Sequence, residues 1–353
     1  MEINLLQYNF FLKDKPKKTS NNKKNNKNNT TTSKTVLKEN NFTTINELKI
    51  CNKIKKIPYF FNNFQVIVTS KLLRDLNKMP EIINKEECDK YVLINYTEHQ
   101  GCYLRDFFYN LESPKQVIFH SIETYLHLLK TMITLEKNNI TFLDLSPYTI
   151  FIENNKPMLQ HFENSILNDC VDEAYITSII CNIKDFTYKP LEIHLLFYLI
   201  VNDISSLSYA LSYEICEHFI ENISVLKLFS QEYKQKYKKE CADFLNSFIN
   251  KSRTQIIRYI IQYYYTWDNY SLSILYLHIF GNIVRVFSLR DNFISNIVSH
   301  LLKNISIQPS KRERLCNSLE IFNTLFYKDA NLNWNYVNSI PHTKIDLLRE
   351  VLL

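Results

Sequence analysis

Glycine is nearly absent from this chain, and its scarcity excludes a whole class of nucleotide sites. Only 2 of the 353 residues are glycine, and they stand alone at Gly101 and Gly281. The usual share in proteins is about 7%. A loop that wraps around phosphates needs several glycines, because its backbone must approach the oxygens closely. The sequence therefore excludes a P-loop and a dinucleotide-binding fingerprint.

Paired metal-ligand spacings and a strong excess of charge are also missing. The eight cysteines are scattered without a C-x-x-C pair or a Cys/His spacing, so we predict no metal site and no disulfide framework. The formal net charge is only +6, and much of the excess falls in residues 13–38. Such a charge is short of a nucleic-acid signature, so we predict no specific nucleic-acid partner.

Long apolar runs are lacking as well. No run reaches the roughly 18 residues that a membrane-spanning helix needs, so we predict no membrane span. The first residues show no basic region followed by an apolar segment and a cleavage site. From these two observations we expect a cytoplasmic protein.

What the chain does contain divides into a β-rich beginning and a long helical remainder. Residues 13–33 form a low-complexity Lys/Asn-rich segment, which is typical of a loop or of disorder. Runs of β-branched and aromatic residues predict strands at 35–38, 59–73 and 91–96. Beyond residue 99 the apolar spacing is mostly helical. The predicted class is α+β.

One helix is predicted early, between the first two strands. Thr44 is followed three residues later by Glu47, which is the spacing of a capping box. We therefore predict that Thr44 caps this helix.

The most informative segment lies at 142–163. It reads F-L-D-L-S-P-Y-T-I at 142–150 and K-P-M-L-Q-H-F-E at 156–163. A protein kinase has its base at the third position of H-R-D, a metal-binding Asn five residues later, and a second metal ligand in D-F-G. Asp144 matches the position of the base. Thr149 and His161 stand where the two metal ligands belong.

Along most of its length the chain resembles the eukaryotic-type protein kinase superfamily, and it is similar in style to kinase-like proteins of large DNA viruses. The other matching segments, in chain order, are 91–104 (fifth strand, hinge and next helix), 117–138 (the helix before the catalytic loop), 190–192 (A-P-E), 267–272 (D-x-x-S-L) and 309–312 (P-x-x-R). This resemblance implies a bilobal protein-kinase-like fold. A small, reduced β-rich N-lobe would span 1–98, and a large α-helical C-lobe would span 99–353. For a viral protein the compartment would be the host cytoplasm.

The resemblance also implies three structural residues. Glu192 would pair with Arg312, and such a pair is costly to break from one side when it is buried. Asp268 would accept hydrogen bonds from the backbone of the catalytic loop and so hold Leu143 and Asp144. The alternative for each of the three is an ordinary surface charge.

Two further positions would belong to the nucleotide site of the resembled family. Lys38 would be the lysine that contacts ATP, and Glu47 would be its helix partner. Their separation of 47 − 38 = 9 positions is shorter than the family usually shows. A lysine beside a Lys-rich tract that matches by chance is the alternative, and it stays open here.

The chemical positions have lost their usual residues. Magnesium takes oxygen ligands in near-octahedral geometry, whereas the imidazole of His161 suits zinc or copper. Thr149 offers a neutral hydroxyl in place of an amide oxygen. Ser146 replaces a lysine and Leu143 an arginine, so Asp144 is the remnant base. His161 is either a metal ligand or, as we expect, a residue that bonds locally.

A helical insertion of about 203–262 is the chief departure from an ordinary kinase. Between Glu192 and Asp268 lie 268 − 192 = 76 positions. Apolar residues recur every four positions from Leu207 to Ile223, which predicts an amphipathic helix. Two more helices are predicted at 233–249 and 254–265. The insertion would either dock a protein partner or only pad the fold.

These observations favour a catalytically impaired pseudokinase that acts as a protein-binding or regulatory module. It would require no cofactor, and weak binding of ATP with or without magnesium stays open. One alternative is a divergent active serine/threonine kinase with Asp144 as base and Glu163 holding the metal. A second alternative is a helical interaction protein of unrelated fold.

Overall fold

The computed structural model describes residues 33–75, 85–289, 292–327 and 329–352. Apart from Ser33, the low-complexity segment 13–33 lies outside the described residues. The described chain is α+β and 63% helical, with small antiparallel sheets and a larger helical part. The predicted fold class is therefore confirmed at this level.

The elements alternate at first and then become helical. The strands are β1 (Ser33–Glu39), β2 (Ile67–Leu72), β3 (Tyr91–Thr97), β4 (Cys102–Tyr103), β5 (Ile140–Thr141), β6 (Ile150–Glu153), β7 (Lys156–Leu159) and β8 (Ile166–Leu167). The helices are α1 (Phe42–Ile54), α2 (Leu104–Tyr109), α3 (Pro114–Lys137), α4 (Glu173–Ile180), α5 (Leu191–Val201), α6 (Tyr209–Asn222), α7 (Gln231–Asn246), α8 (Arg253–Ile260), α9 (Trp267–Phe287), α10 (Phe293–Asn304), α11 (Leu315–Tyr327), α12 (Ala330–Ser339) and α13 (Ile345–Val351).

An antiparallel sheet of order β1–β3–β2 begins the described chain. β3 is the central strand and pairs with β1 along its whole length. On its other side β3 pairs with β2, with a register irregularity between Ile67 and Thr69. Helix α1 connects β1 to the segment before β2 and buries Ile50 and Ile54. The sheet and α1 thus form one packed unit.

The start of α1 differs from the prediction. Asn41, not Thr44, caps the helix, and its side-chain oxygen accepts the backbone N–H of Thr44 at 3.2 Å. Thr44 is itself buried in the first turn. Asparagine caps a helix at least as well as threonine, and Asn41 stands three residues earlier. The predicted capping box at Glu47 is therefore wrong.

The predicted strand at 59–73 is also wrong in its first half. Tyr59 has a φ of 56°, in the left-handed region, and Phe60–Asn62 form a short 3-10 helix. Extended structure begins only at Ile67. The aromatic residues that indicated a strand here belong to a turn, and Tyr59 and Phe61 are exposed.

The helical part is built around α9. Trp267, Tyr270, Tyr276 and Phe280 of this helix are all buried, and α9 packs against both α3 and α10. Within the described residues, Arg253–Phe287 is the one helical stretch long and apolar enough to cross a membrane, and 78% of its most apolar window is buried inside the protein. Burial of this kind is typical of a core helix.

The three helices predicted within 203–265 are observed as α6, α7 and α8, although the last α-helix ends at Ile260 rather than at residue 265. Ile215 and Phe219 of α6 are buried, as their spacing of four positions predicted. α8 runs directly into a 3-10 helix at Ile261–Thr266 and then into α9. The segment that carries α6 to α8 is thus continuous with the core helix α9.

The two glycines allow a matched test of the packing around β4. A Cβ added to Gly101 would lie 2.0 Å from the backbone oxygen of Ile152, in the strand that pairs with β4. That oxygen cannot move aside without disturbing the pairing. We expect Gly101→Ala to lower the free energy of unfolding by about 1–3 kcal/mol, as measured by urea denaturation.

Gly281→Ala is the control. Its Cβ would meet only the end of the Leu228 side chain, which can rotate away. Alanine also favours a helix over glycine by about 1 kcal/mol, so the change should stay within about that amount. Equal losses in both variants would contradict the crowding at Gly101.

Candidate functional site

Lys38 and Glu47 meet in the described chain. Lys38 leaves β1 and places its Nζ 2.7 Å from Oε2 of Glu47 on α1. Glu47 is only 1% exposed, and Tyr96 of β3 donates its hydroxyl to Oε1 at 3.1 Å. Burial raises the pKa of Glu47, and the neighbouring Lys38 opposes that rise. The short separation in sequence therefore suffices to form this ion pair.

Helix α1 is also bonded to the loop that follows His161. The side-chain amide of Asn46 donates to the backbone oxygens of Glu163 and Ser165, at 3.0 and 2.8 Å. The hydroxyl of Tyr175 donates to Oδ1 of Asn46 at 2.8 Å. Phe162 is fully buried beside Phe142. These contacts fix Glu47 relative to the His161 loop.

Asp144 has both carboxylate oxygens engaged. Its Oδ1 lies 3.0 Å from Nζ of Lys189, and its Oδ2 accepts the side-chain amide of Asn164 at 3.1 Å. The Lys189 side chain is only 2% exposed, and that of Asp144 is 19% exposed. A buried ammonium needs a counter-charge, and Asp144 supplies it. The candidate base is thus the partner of a buried lysine.

The sequence analysis missed Lys189 and Asn164. Lys189 stands directly before the 190–192 segment that resembles A-P-E, and Asn164 directly follows the 156–163 segment. This adjacency is the only signal that could have found them. Nothing in the spacing predicts that Lys189, 45 positions after Asp144, reaches back to it.

Thr149 serves the loop that carries Asp144. Its hydroxyl donates to the backbone oxygen of Asp144 at 2.8 Å and accepts the backbone N–H of Ser146 at 2.9 Å. A side-chain hydroxyl in this position closes the turn between Asp144 and β6. Thr149 therefore has a structural use in the loop.

His161 adopts a left-handed backbone conformation. Its φ is 67°, and its side chain is 45% exposed. Its Nδ1 lies 3.8 Å from Oε1 of Glu163, while Oε2 of Glu163 is buried without a hydrogen-bond partner in the described part of the chain. Among the described residues no group of three or more His, Cys, Asp and Glu side chains could hold a metal ion. The 3.8 Å separation exceeds hydrogen-bond length, so the local hydrogen bond expected of His161 is not formed among the described residues.

Asp268 accepts two hydrogen bonds from the backbone of the loop that carries Asp144. Its two oxygens accept the backbone N–H groups of Phe142 and Leu143, each at 2.8 Å. The N–H of Asp144 bonds to the oxygen of Phe142 at 2.8 Å, so Asp268 constrains Asp144 through the neighbouring Leu143. Burial raises the pKa of Asp268 to about 6, and the two N–H donors oppose this rise.

Glu192 and Arg312 form a pair with no exposed side-chain surface. Two nitrogens of Arg312 bond to the two oxygens of Glu192 at 2.5 and 3.0 Å. Nε of Arg312 donates to the oxygen of Ser306 at 2.8 Å, and the ring of Tyr270 lies 4.7 Å from the guanidinium carbon. Every charged group of the pair is therefore satisfied inside the protein.

No family model matches the chain, and no curated protein matches it. The contacts themselves are what bears on function. They join Lys38 to Glu47 and Asp144 to Lys189. They also join Asp268 to the loop residues directly before Asp144.

The buried pair can be tested against an exposed one. We expect Arg312→Met to lower the free energy of unfolding by about 3–5 kcal/mol, because Glu192 would be left buried and unpaired. The joint replacement Glu192→Leu with Arg312→Met should cost less than Arg312→Met alone, since no lone charge remains. Chemical denaturation followed by circular dichroism measures both.

Arg314→Met is the matched control. Arg314 pairs with Glu136 at 2.5 Å, but its side chain is 60% exposed. Exposed pairs contribute less than about 1 kcal/mol. A loss at position 314 as large as the loss at position 312 would show that burial is not what makes the Glu192–Arg312 pair important.

Proposed function

We propose that this chain is a protein-kinase-like pseudokinase that acts as a protein-binding or regulatory module. The order of its first elements supports the kinase-like part of this proposal. The strand with Lys38 is followed by the helix with Glu47, and the Lys–Glu ion pair between such elements is part of an active kinase site. The bond from Asp268 to the loop before Asp144 and the Glu192–Arg312 pair agree with the roles that the resemblance implies.

The single observation that carries the loss of catalysis is the pairing of Asp144 with Lys189. A general base must accept a proton from the substrate hydroxyl within hydrogen-bond distance. Asp144 would have to share or release Lys189 or Asn164 to do so. Releasing the ammonium would leave a nearly buried charge without its partner, which is strongly unfavourable. Proton abstraction by Asp144 would therefore require breaking contacts that stabilise its surroundings.

The metal positions support the same reading. Phosphoryl transfer relies on magnesium to neutralise charge on the β- and γ-phosphates. The hydroxyl of Thr149 is hydrogen-bonded to the loop backbone, and the side chain of His161 is an imidazole. Neither side chain offers the carboxylate or amide oxygen that magnesium prefers. The cofactor requirement of this proposal is therefore none.

A divergent active serine/threonine kinase is the second candidate. One observation favours it: Lys38 and Glu47 form the ion pair that active kinases need. In this alternative Asp144 is the base and Glu163, whose Oε2 is buried without a partner among the described residues, holds the metal.

Nucleotide binding and phosphotransfer decide between the two candidates. We expect the purified protein to show no magnesium-dependent rise in Tm with ATP or ADP, and no transfer of label from radioactive ATP to itself or to a general substrate. A nucleotide at a hundred times its Kd would add about 2.7 kcal/mol, which would move Tm by several degrees and is readily detected.

Two variants sharpen the result. Lys189→Met frees Asp144 of its ammonium, and Lys184→Met removes an exposed lysine of the same segment as a control. Neither should restore phosphotransfer if the metal ligands are lost. Transfer by the wild type that Asp144→Asn abolishes would falsify the pseudokinase proposal and favour the second candidate.

A further inference from the structure

A cleft of about 360 Å³ lies between α7, α10 and the 3-10 helix at Pro309–Lys311. Four of its lining residues, Tyr233, Lys236, Tyr237 and Glu240, come from α7. Their spacing of three and four positions places them on one face of that helix. The cleft is thus a junction between the inserted helices and the part of the chain that carries Arg312.

The bottom of this junction is held by specific contacts. Tyr237 is buried, and its hydroxyl donates to the backbone oxygen of Ile305, just after α10, at 2.9 Å. Ser306 offers its backbone oxygen to Arg312 at 2.8 Å. Arg312 is fixed in turn by the buried pair with Glu192. The walls of the cleft therefore belong to elements that are firmly joined.

Three lysines from three different elements line the cleft. Lys236 of α7, Lys303 of α10 and Lys311 of the 3-10 helix are all exposed. Within the described part of the chain none of them forms an ion pair or a side-chain hydrogen bond. The hydroxyls of Tyr233 and Ser306 likewise have no partner among the described residues. The cleft thus presents unused donors and positive charge beside aromatic surface.

We propose that this cleft binds a short acidic segment of a protein partner, with Lys236, Lys303 and Lys311 holding its carboxylates. An aliphatic or aromatic side chain of the same segment would pack on Tyr233, Tyr237 and Leu302. The proposal rests on the proposed function, because it names the chemistry of the partner that a binding module requires. It uses no residue of the Asp144 site.

The lining favours a peptide over a polyanion. Glu240 and Glu313 also face the cleft, and they would repel a continuous run of phosphates. A peptide instead has backbone N–H groups that can donate hydrogen bonds to these carboxylates. Its separate acidic side chains can form ion pairs with the lysines. The mixture of three lysines, two glutamates and aromatic walls is therefore suited to a peptide with both acidic and apolar residues.

The test uses the full-length protein and a short fluorescent peptide in which glutamates flank a phenylalanine. Its control is the same peptide with every Glu replaced by Gln. Fluorescence anisotropy should show saturable binding of the acidic peptide that weakens as salt is added. The Gln peptide should bind at least about tenfold more weakly, because it cannot pair with the lysines.

Two matched triple variants locate the site. The joint change Lys236→Gln, Lys303→Gln and Lys311→Gln should weaken peptide binding about tenfold. The joint change Lys115→Gln, Lys130→Gln and Lys184→Gln removes the same charge from exposed lysines elsewhere and should leave the Kd unchanged. Because all six side chains are exposed, both variants should keep the wild-type Tm.

Three results would overturn the proposal. They are equal binding of the Gln peptide, equal weakening in both triple variants, and tighter binding of a single-stranded RNA probe that the cleft variant also loses. Phosphotransfer activity would defeat the proposed function while leaving the peptide result intact, so the two failures can be told apart.

Discussion

The carboxylate of Asp268 fixes the loop on which the candidate site depends. It lies buried in the first turn of α9, where a charge without hydrogen bonds would be costly. The N–H groups of Phe142 and Leu143 satisfy it. In return Leu143 is held at a φ of 63°, a conformation that costs a bulky residue roughly 1–3 kcal/mol. This contact thus fixes the backbone directly before Asp144.

Leu143 belongs to a wider consequence of the shortage of glycine. In the described chain, left-handed backbone is adopted by residues with side chains: Tyr59, Asn139, Leu143, Asn154, Asn155, His161, Asp203, Asn250 and Ser288. Asparagine tolerates this region better than most residues, because its short side chain can bond locally. Leu143 has no such advantage, and it lies in the candidate site. The bond to Asp268 therefore holds a strained residue directly before Asp144.

The sequence was informative where periodicity or local spacing determines structure. Apolar residues recur at close to 3.6 positions over 116–137, which predicted α3, and the four-residue spacing from Leu207 predicted α6. Both patterns work because one face of each helix is buried. Sequence patterns did not predict contacts between residues that are far apart in the chain. Lys189 contacts Asp144 across 45 positions of sequence, and no local pattern predicts that contact. The strand predicted at 59–73 failed because aromatic residues satisfy a turn as well as a strand.

The Lys189–Asp144 pair supplies a lysine contact to Asp144 that the sequence of the loop suggests is missing. Ser146 stands where the resembled family usually has a lysine, yet an ammonium group still reaches the Asp144 carboxylate from a different segment. A lysine within the loop would be free to contact a phosphate. Lys189 is nearly buried, and its ammonium group pairs with Asp144. This ion pair joins the segment before α5 to the loop. The same charge that could assist transfer from an exposed position thereby becomes a structural cross-link.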